Sequence, residues 1–107
     1  MEMEKEPVQV FQQNGETHLL FNTSLSVAQA RALRAQLGEV VTPPSALKLA
    51  LDAGQVEQVD TAAMQVLAGF CRHLHEQGAP MRWHAVSPAV QEAAHLLGLD
   101  SLFGGQA

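Results

Sequence analysis

An acid and a hydroxyl stand side by side at Asp60-Thr61, and two alanines, Ala62 and Ala63, follow them at once. Carboxylate and hydroxyl oxygens accept hydrogen bonds, and the first backbone amides of a helix have no partner within the helix. A negative charge is also favoured at that end of a helix. The apolar run after the pair has helical spacing. We therefore expect Asp60 or Thr61 to cap a helix that begins here and ends near Gln77.

Five histidines and one cysteine could bind a metal ion. Cys71 and His75 are four residues apart, which places two ligand side chains on one side of a helix. His73 points elsewhere on that helix, and no second pair completes a set of four ligands. We expect no metal and no cofactor.

The other patterns of catalysis are missing from the sequence. It contains neither the G-x-S-x-G turn of hydrolases nor the GK[ST] ending of a P-loop. Asp52 and Asp60 have the placement of acids in a phospho-accepting receiver domain. Against that, the chain is short and Lys48 precedes both acids inside a predicted strand. We therefore expect no catalytic residues and no enzymatic activity.

Size and charge bound the remaining classes of function. The chain has 107 residues, enough for one domain, and a net charge of −5 with only six lysines and arginines. These six are scattered and form no basic stripe for nucleic acid. The start, MEMEKEPV, does not resemble a signal peptide, and no segment reaches the roughly 20 apolar residues of a membrane span. These features predict a cytoplasmic protein that binds no nucleic acid and does not insert into a membrane.

The first half of the chain predicts a hairpin and a helix. Residues 8–13 and 17–21 alternate like strands, and Asn14-Gly15 between them favours a two-residue turn. Ser26 and Gln29 have the spacing of a capping box. The helix that follows is expected to end at or near Gly38.

The middle of the chain predicts a central strand. Pro43-Pro44 prevents the first helix from continuing. Residues 46–52 are rich in leucine and short, which favours a strand inside a sheet. Residues 54–59 are interpreted as a loop that leads to Asp60.

A strand and a helix are predicted after the Asp60-Thr61 helix. Residues 81–86 alternate, and Met81, Trp83 and Ala85 are expected on one face. Ser87-Pro88 is a serine N-cap followed by proline at the first helical position.

The predicted order of elements is β-β-α-β-α-β-α. Strands separated by helices imply parallel neighbours, so we expect an α/β fold with a mixed four-stranded sheet, an N-terminal β-hairpin and helices packed on the sheet. Residues 99–103 can add one further turn. We expect a flexible acidic lead at residues 1–7, one domain at residues 8–103 and a flexible tail at residues 104–107.

The helix after Asp60 is apolar over more of its circumference than contact with a sheet requires. Neighbouring helices could cover both flanks of the apolar arc. Alternatively, a flank that contains Val66 and Phe70 lies on a docking surface beside the helix start. The sequence leaves both interpretations open.

The joint order of several short motifs resembles a STAS domain, the module of bacterial anti-sigma-factor antagonists. The resemblance covers residues 46–103 well, and the N-terminal part only in its layout. The motifs are Leu51-Asp52 at a strand end, Asp60-Thr61 at a helix start, the strand at residues 81–86, the Ser87-Pro88 cap and Leu96-Leu97-Gly98-Leu99. The resemblance implies a STAS-like fold and a protein partner.

In that family the loop before this helix typically reads D-S-[ST]-G-L, and a serine kinase phosphorylates the hydroxyl before the glycine. Here Ala62 stands at the hydroxyl position and Ala63 at the glycine position, so the usual phosphoacceptor is absent. Thr61 is an alternative acceptor one position earlier, and its capping role explains it equally. We favour docking without phosphorylation.

Asp-Thr followed by small residues resembles the STAS subunits of lipid-transport ABC systems and the STAS proteins linked to bacterial chemotaxis clusters. We interpret the chain as a non-enzymatic interaction module of bacterial signalling or transcription regulation. The resemblance implies one of four partners: an anti-sigma factor, its serine kinase, a chemotaxis protein or an ABC ATPase. A homodimer is a further alternative. The predicted contact residues are Asp60, Thr61, Ala62, Met64, Gln65 and Val66.

Overall fold

A computed structural model describes residues 7–40 and 48–103 of the chain. Its elements are β1 (Val8–Gln13), β2 (Glu16–Phe21), β3 (Ser24–Leu25), α1 (Val27–Val40), β4 (Leu49–Ala53), β5 (Gln58–Val59), α2 (Thr61–Glu76), β6 (Met81–Val86) and α3 (Pro88–Leu96), followed by a 3₁₀ turn (Asp100–Leu102). The predicted α/β class and the order of the main elements are confirmed. The predictions for the lead at residues 1–6, for Pro43-Pro44, for residues 46–47 and for the tail at residues 104–107 lie outside the described residues.

The N-terminal hairpin forms as its turn predicts. β1 and β2 pair antiparallel, with Val8 opposite Phe21. Asn14 and Gly15 have φ angles of 54° and 81°. Both angles are positive, as a type I′ turn requires, and this turn matches the twist of the two strands.

β4 lies at the centre of the main sheet. The strand order is β1-β2-β4-β6, and β4 pairs parallel with both β2 and β6. Leu49, Ala50 and Leu51 are each at most 1% exposed, so both faces of β4 are covered. The strand begins at Leu49, which places Lys48 before it and corrects the prediction that Lys48 lies within it.

The three helices cover one face of the main sheet. Leu19 and Leu51 point from neighbouring strands into one apolar core, where residues of all three helices meet them. On the other face Phe11, Arg82 and His84 of the edge strands are exposed, whereas Ala50 of β4 is buried. We call this second face, which is exposed along β1 and β6, the open face.

A β-bulge changes the predicted facing of β6. Leu51 lies opposite Trp83, but the next residue, Asp52, lies opposite Ala85, so β6 has one extra residue at this point. The extra residue turns Val86 toward the core and Ala85 toward the open face. The prediction that Ala85 shares a face with Trp83 was wrong for this reason.

The last helix and the turn after it follow local rules. The hydroxyl of Ser87 accepts a hydrogen bond of 3.2 Å from the amide of Val90, and Pro88 is the first helical residue. The predicted further turn forms as the 3₁₀ turn. The indole N–H of Trp83 donates to the carbonyl of Leu102 at 2.9 Å and holds this turn against the sheet.

A second, two-stranded sheet lies in segments that the sequence predicted as loops. β3 and β5 pair parallel, with Ser24 opposite Gln58 and Leu25 opposite Val59. The prediction of a plain loop at residues 54–59 was therefore incomplete. Two-residue strands are too short for an alternating pattern, so their pairing is decided by the tertiary fold.

Candidate functional site

Asp60 joins the starts of two helices. By its backbone it is the N-cap of α2, but its side chain makes no hydrogen bond to that helix. Its Oδ2 atom instead accepts a hydrogen bond of 2.8 Å from the backbone N–H of Val27, the first residue of α1. The prediction that the side chain of Asp60 or Thr61 caps α2 is thus wrong: Thr61 is the first helical residue, and the Asp60 carboxylate caps the neighbouring helix α1.

The small sheet is the cause of this arrangement. Leu25 pairs with Val59, and the amide of Asp60 donates to the carbonyl of Leu25 at 3.0 Å. The α1 start therefore lies directly beside the α2 start. The first amides of a helix need an acceptor from outside the helix, and the nearest carboxylate is that of Asp60.

The predicted capping box contributes a second contact at the start of α1. The amide of Ser26 donates to Oε1 of Gln29 at 3.2 Å. In a complete capping box the serine side chain also accepts from the amide of the residue at the glutamine position, so this contact is one of the two that define the motif. Together, Gln29 and Asp60 fix the first turn of α1 from two sides.

The start of α2 leaves hydrogen-bonding groups accessible. Thr61 is exposed and is the first helical residue. The first amide of α2 with an acceptor is that of Met64, which donates to the carbonyl of Asp60 at 2.9 Å. Within residues 7–40 and 48–103, the amides of Thr61, Ala62 and Ala63 have no hydrogen-bond acceptor. The amide and hydroxyl of the exposed Thr61 and the amide of the half-buried Ala62 can bond to groups from outside the chain, whereas Ala63 is buried.

The remaining predicted contact residues divide by burial. Gln65 is exposed, and Ala62 and Val66 are half-buried. Met64 is fully buried and lies in the core. It faces the sheet beside Leu67, so we remove it from the contact set.

A groove of about 910 Å³ runs between α1 and α2. Six of its lining residues are Arg34, Leu37 and Gly38 from α1 and Ala62, Gln65 and Val66 from α2. Both α1 and α3 contact α2, which explains part of the wide apolar arc of this helix. On the α1 side the cover is incomplete, and Val66 and Phe70 line the open groove.

Val27 belongs to the apolar helical spacing of α1 in the sequence, but its side chain lies on the surface and not in the core. Its side chain is 65% exposed although it is apolar and β-branched. It follows Ser26, the first residue of the capping box, and stands at the first helical position. The side chain of a residue directly after an N-cap can point outward from the first turn of the helix. An apolar residue at this position is therefore the feature of the sequence from which the exposure of Val27 could have been predicted.

Cys71 and the neighbouring histidines do not assemble a metal site. Burial raises the pKa of the Cys71 thiol to about 12, which keeps it protonated. His73 and His75 are exposed, whereas Cys71 is buried. Among the residues that the structure describes, no three histidine, cysteine or acidic side chains lie close enough to share a metal ion.

The described helices are also too short or too polar for a bilayer. In the described part of the chain, none has the length and apolar character that a transmembrane span needs.

Comparison with solved structures gives the same fold. The chain is 26% identical to an anti-sigma factor antagonist from Mycobacterium paratuberculosis, with a TM-score of 0.75 and coverage of 91% of this chain and 81% of that one. The anti-sigma factor antagonist SpoIIAA in its unphosphorylated form is 15% identical, with a TM-score of 0.71 and coverage of 90% and 84%. Mglu is 17% identical with a TM-score of 0.63; the match covers 77% of this chain and only 20% of Mglu.

No curated protein matches the sequence. A family model does match: the one described as "Mlab, STAS domain" covers residues 8–104. This range includes both helix starts and the whole main sheet. The chain belongs to the STAS domain family.

Proposed function

We propose that this chain is a non-enzymatic docking module of the anti-sigma-factor-antagonist type, which binds a regulatory protein through the adjoining starts of α1 and α2. The observation that carries the proposal is the hydrogen bond between Asp60 and Val27, because it makes one surface from two helix starts. We call this the docking surface, and it consists of Val27, Asp60, Thr61, Ala62, Gln65 and Val66.

The docking surface combines apolar and polar groups at short range. Val27 and Val66 offer apolar area, and Gln65 is an exposed amide. The amides at the start of α2 and the hydroxyl of Thr61 can bond to a partner. Apolar area bordered by such groups is typical of a protein interface.

The proposed docking does not depend on phosphorylation. Ala62 and Ala63 occupy the positions of the family's usual hydroxyl and glycine. Thr61 is exposed, so a kinase could reach it. A phosphate there would add up to two negative charges beside the carboxylate of Asp60 and would repel an apolar or acidic partner. Control is thus assigned to the partner, with modification of Thr61 as the alternative.

A second candidate function is that of a STAS subunit in a lipid-transport ABC complex, where the same surface would bind the ATPase. The observation in its favour is the resemblance of Asp60-Thr61, followed by two alanines, to such subunits. Both candidates use the same contact residues and differ only in the partner.

The experiment that tests the docking surface is a pull-down from native cell extract, with mass spectrometry of the retained proteins. The baits are the wild type, Thr61→Glu and the control Gln13→Glu. Gln13 is exposed at the hairpin, which lies at the opposite end of the sheet from the α2 start. Both variants add one negative charge. A difference between the proteins that they retain therefore depends only on where the charge is placed.

We expect the wild type and Gln13→Glu to retain one specific partner and Thr61→Glu to lose it. An anti-sigma factor, a kinase or a chemotaxis protein would support the first candidate, and an ABC ATPase the second. Equal retention by all three baits would place binding elsewhere. Phosphate on Thr61 in native material would overturn the preference for docking without phosphorylation.

A further inference from the structure

The free edge of β1 carries unpaired backbone groups. β1 is the first strand of the sheet and pairs only with β2. Along an antiparallel pair, residues whose backbone groups bond to the neighbouring strand alternate with residues whose groups point away from it. The amide of Asn22 donates to the carbonyl of Pro7 at 3.0 Å, so Pro7 is one of the residues whose groups point toward β2. The backbone groups of Gln9 and Phe11 therefore point toward β2, and those of Val8, Val10 and Gln12 point away from it.

Gln36 occupies one end of this edge. Its side-chain amide donates to the carbonyl of Val8 at 2.9 Å and accepts from the amide of Val8 at 3.3 Å. It thus bonds to Val8 as a neighbouring strand would. For the outward backbone groups of Val10 and Gln12, the described residues supply no partner.

The β1 edge lacks the features that normally prevent pairing with another chain. The strand VQVFQQ contains no charge and no proline, and its register with β2 has no bulge. The opposite edge of the sheet, β6, pairs with β4 through a β-bulge, which is one of the features that disfavour pairing with another chain. The two edges of the described main sheet therefore differ, and the β1 edge is the more favourable one for pairing with a further strand.

The side chains of β1 also favour a second strand. Val10 is 44% exposed and Phe11 is 45% exposed, on opposite faces of the sheet. On the open face the ring of Phe11 stacks on the ring of His18, with centroids 5.0 Å apart and an angle of 8° between the planes. A further strand beside β1 would cover both exposed apolar side chains.

We propose that two copies of this chain pair antiparallel through their β1 edges and form one continuous sheet. The edge is self-complementary, since each outward residue offers one donor and one acceptor. The outward backbone groups of Val8 are already bonded to Gln36, so those of Val10 and Gln12 remain for a partner strand. The antiparallel register that uses all of them is centred on Phe11. Val10 of each copy then exchanges both backbone hydrogen bonds with the partner's Gln12.

This register places the two Phe11 side chains directly opposite each other on the open face. Residues opposite each other in an antiparallel pair point to the same side and lie close enough for aromatic contact. The stacked His18 rings would extend this contact on both sides. An interface made of one edge is small, and interfaces that bury less than about 1,200 Å² are typically weak. The dimer should therefore dissociate on dilution.

Two variants test the edge, and one serves as a control. Val10→Pro removes an outward amide that the sheet itself does not use, which is tolerated on an edge strand. Phe11→Lys places a charge at the centre of the contact. The control Leu96→Lys makes a comparable exchange at a side chain that is 75% exposed on α3. Circular dichroism verifies that each variant folds. If Val10→Pro does not fold, Phe11→Lys still tests the edge.

Sedimentation velocity over a dilution series from high to low micromolar protein measures the association. We expect a monomer–dimer equilibrium for the wild type and for Leu96→Lys, and association roughly tenfold weaker or more for both edge variants. A wild type that stays monomeric throughout, or edge variants that associate as the wild type does, would overturn the proposal.

Amide hydrogen exchange gives a second readout of the register. The amides of Val10 and Gln12 should gain protection as the protein concentration rises, whereas those of Gln9 and Phe11 should be protected at all concentrations. Protection of Val10 and Gln12 that does not change with concentration would contradict pairing through this edge. The proposal is independent of the docking surface, which neither edge variant alters.

Discussion

The carboxylate of Asp60 lies 2.8 Å from the backbone nitrogen of Val27, a residue 33 positions earlier in the chain. One acidic side chain therefore fixes the spatial relation of two helices whose first turns form the docking surface. Asp60 contributes in two ways, as an exposed carboxylate and as the residue that positions Val27.

Replacing Asp60 by alanine should lower the free energy of unfolding by about 1 kcal/mol, because the first amide of α1 loses its acceptor. Asp60→Asn keeps an acceptor oxygen and should cost less. Urea denaturation followed by circular dichroism measures both. The control is Glu57→Ala, which removes an exposed carboxylate that forms no hydrogen bond or ion pair with the described residues. Equal losses for Asp60→Ala and Glu57→Ala would contradict the capping role.

Val27→Ser should leave the free energy of unfolding nearly unchanged, because the side chain is 65% exposed. Affinity for the captured partner should fall roughly tenfold, equivalent to about 1.4 kcal/mol, since an apolar contact is removed from the docking surface. Isothermal titration calorimetry with the purified partner is the measurement. Leu96→Ser, at an exposed leucine of α3, should bind as the wild type does. If both variants bind equally well, Val27 does not belong to the interface.

The thiol of Cys71 should react slowly with Ellman's reagent in the folded protein and rapidly in urea. Burial raises the pKa of this thiol to about 12 from its ordinary value of 9.0, so the reactive thiolate is scarce at neutral pH. Fast labelling of the native protein would show that the helix opens readily around Cys71.

The same pKa predicts a loss of stability in alkali. Between pH 9.0 and about 12 the unfolded chain releases the thiol proton and the folded chain retains it. The unfolded state then binds fewer protons, so the free energy of unfolding should fall as pH rises through this range. Urea denaturation at several alkaline pH values tests this, and Cys71→Ala should show a smaller decrease. Parallel curves for the two proteins would argue against a thiol contribution.

The ion pair between Glu16 and Arg82 should make part of the stability sensitive to acid. Arg82 donates hydrogen bonds of 3.0 Å and 2.9 Å to the two carboxylate oxygens of Glu16 and holds the pKa of this carboxyl below its ordinary value of 4.5. The folded state thus binds the proton less readily than the unfolded state. The stabilisation is present above pH 4.5 and is lost as pH falls through the lowered pKa.

Glu16→Gln should therefore lose less stability than the wild type between about pH 6 and about pH 3, as measured by urea denaturation. Glu92→Gln, at an exposed glutamate of α3, is the matched control and should follow the wild type. An acid profile of Glu16→Gln identical to that of the wild type would show that the pair does not couple to folding.

Local sequence was sufficient to predict the hairpin turn and two helix starts. Asn14-Gly15 predicts a hairpin turn because both residues accept positive φ, and both have it. Ser87-Pro88 predicts a helix start, and the Ser87 hydroxyl caps that helix. The start of α2 after Asp60 was predicted correctly, although the capping partner of Asp60 was not. In each case the determining contacts lie within four residues along the chain.

The pairing of non-adjacent segments was beyond the sequence. Met64 entered the predicted contact set because it follows Thr61 closely, but its helical position turns it into the core. The bulge before Ala85 and the two-residue strands β3 and β5 leave no periodic signal. Such features depend on which segments the whole fold brings together.

By itself, the sequence determined the order of the main strands and helices, the hairpin turn and the positions where α2 and α3 begin, because turn residues and N-caps act on backbone groups of their own neighbourhood. The tertiary structure alone decided that Asp60 caps α1, that Val27 is exposed beside Thr61 and that the edge of β1 is open. The physical reason is that these features depend on segments that are distant in the chain and meet only in the fold. The pairing of Leu25 with Val59, for example, brings the amide of Val27 within 2.8 Å of the Asp60 carboxylate.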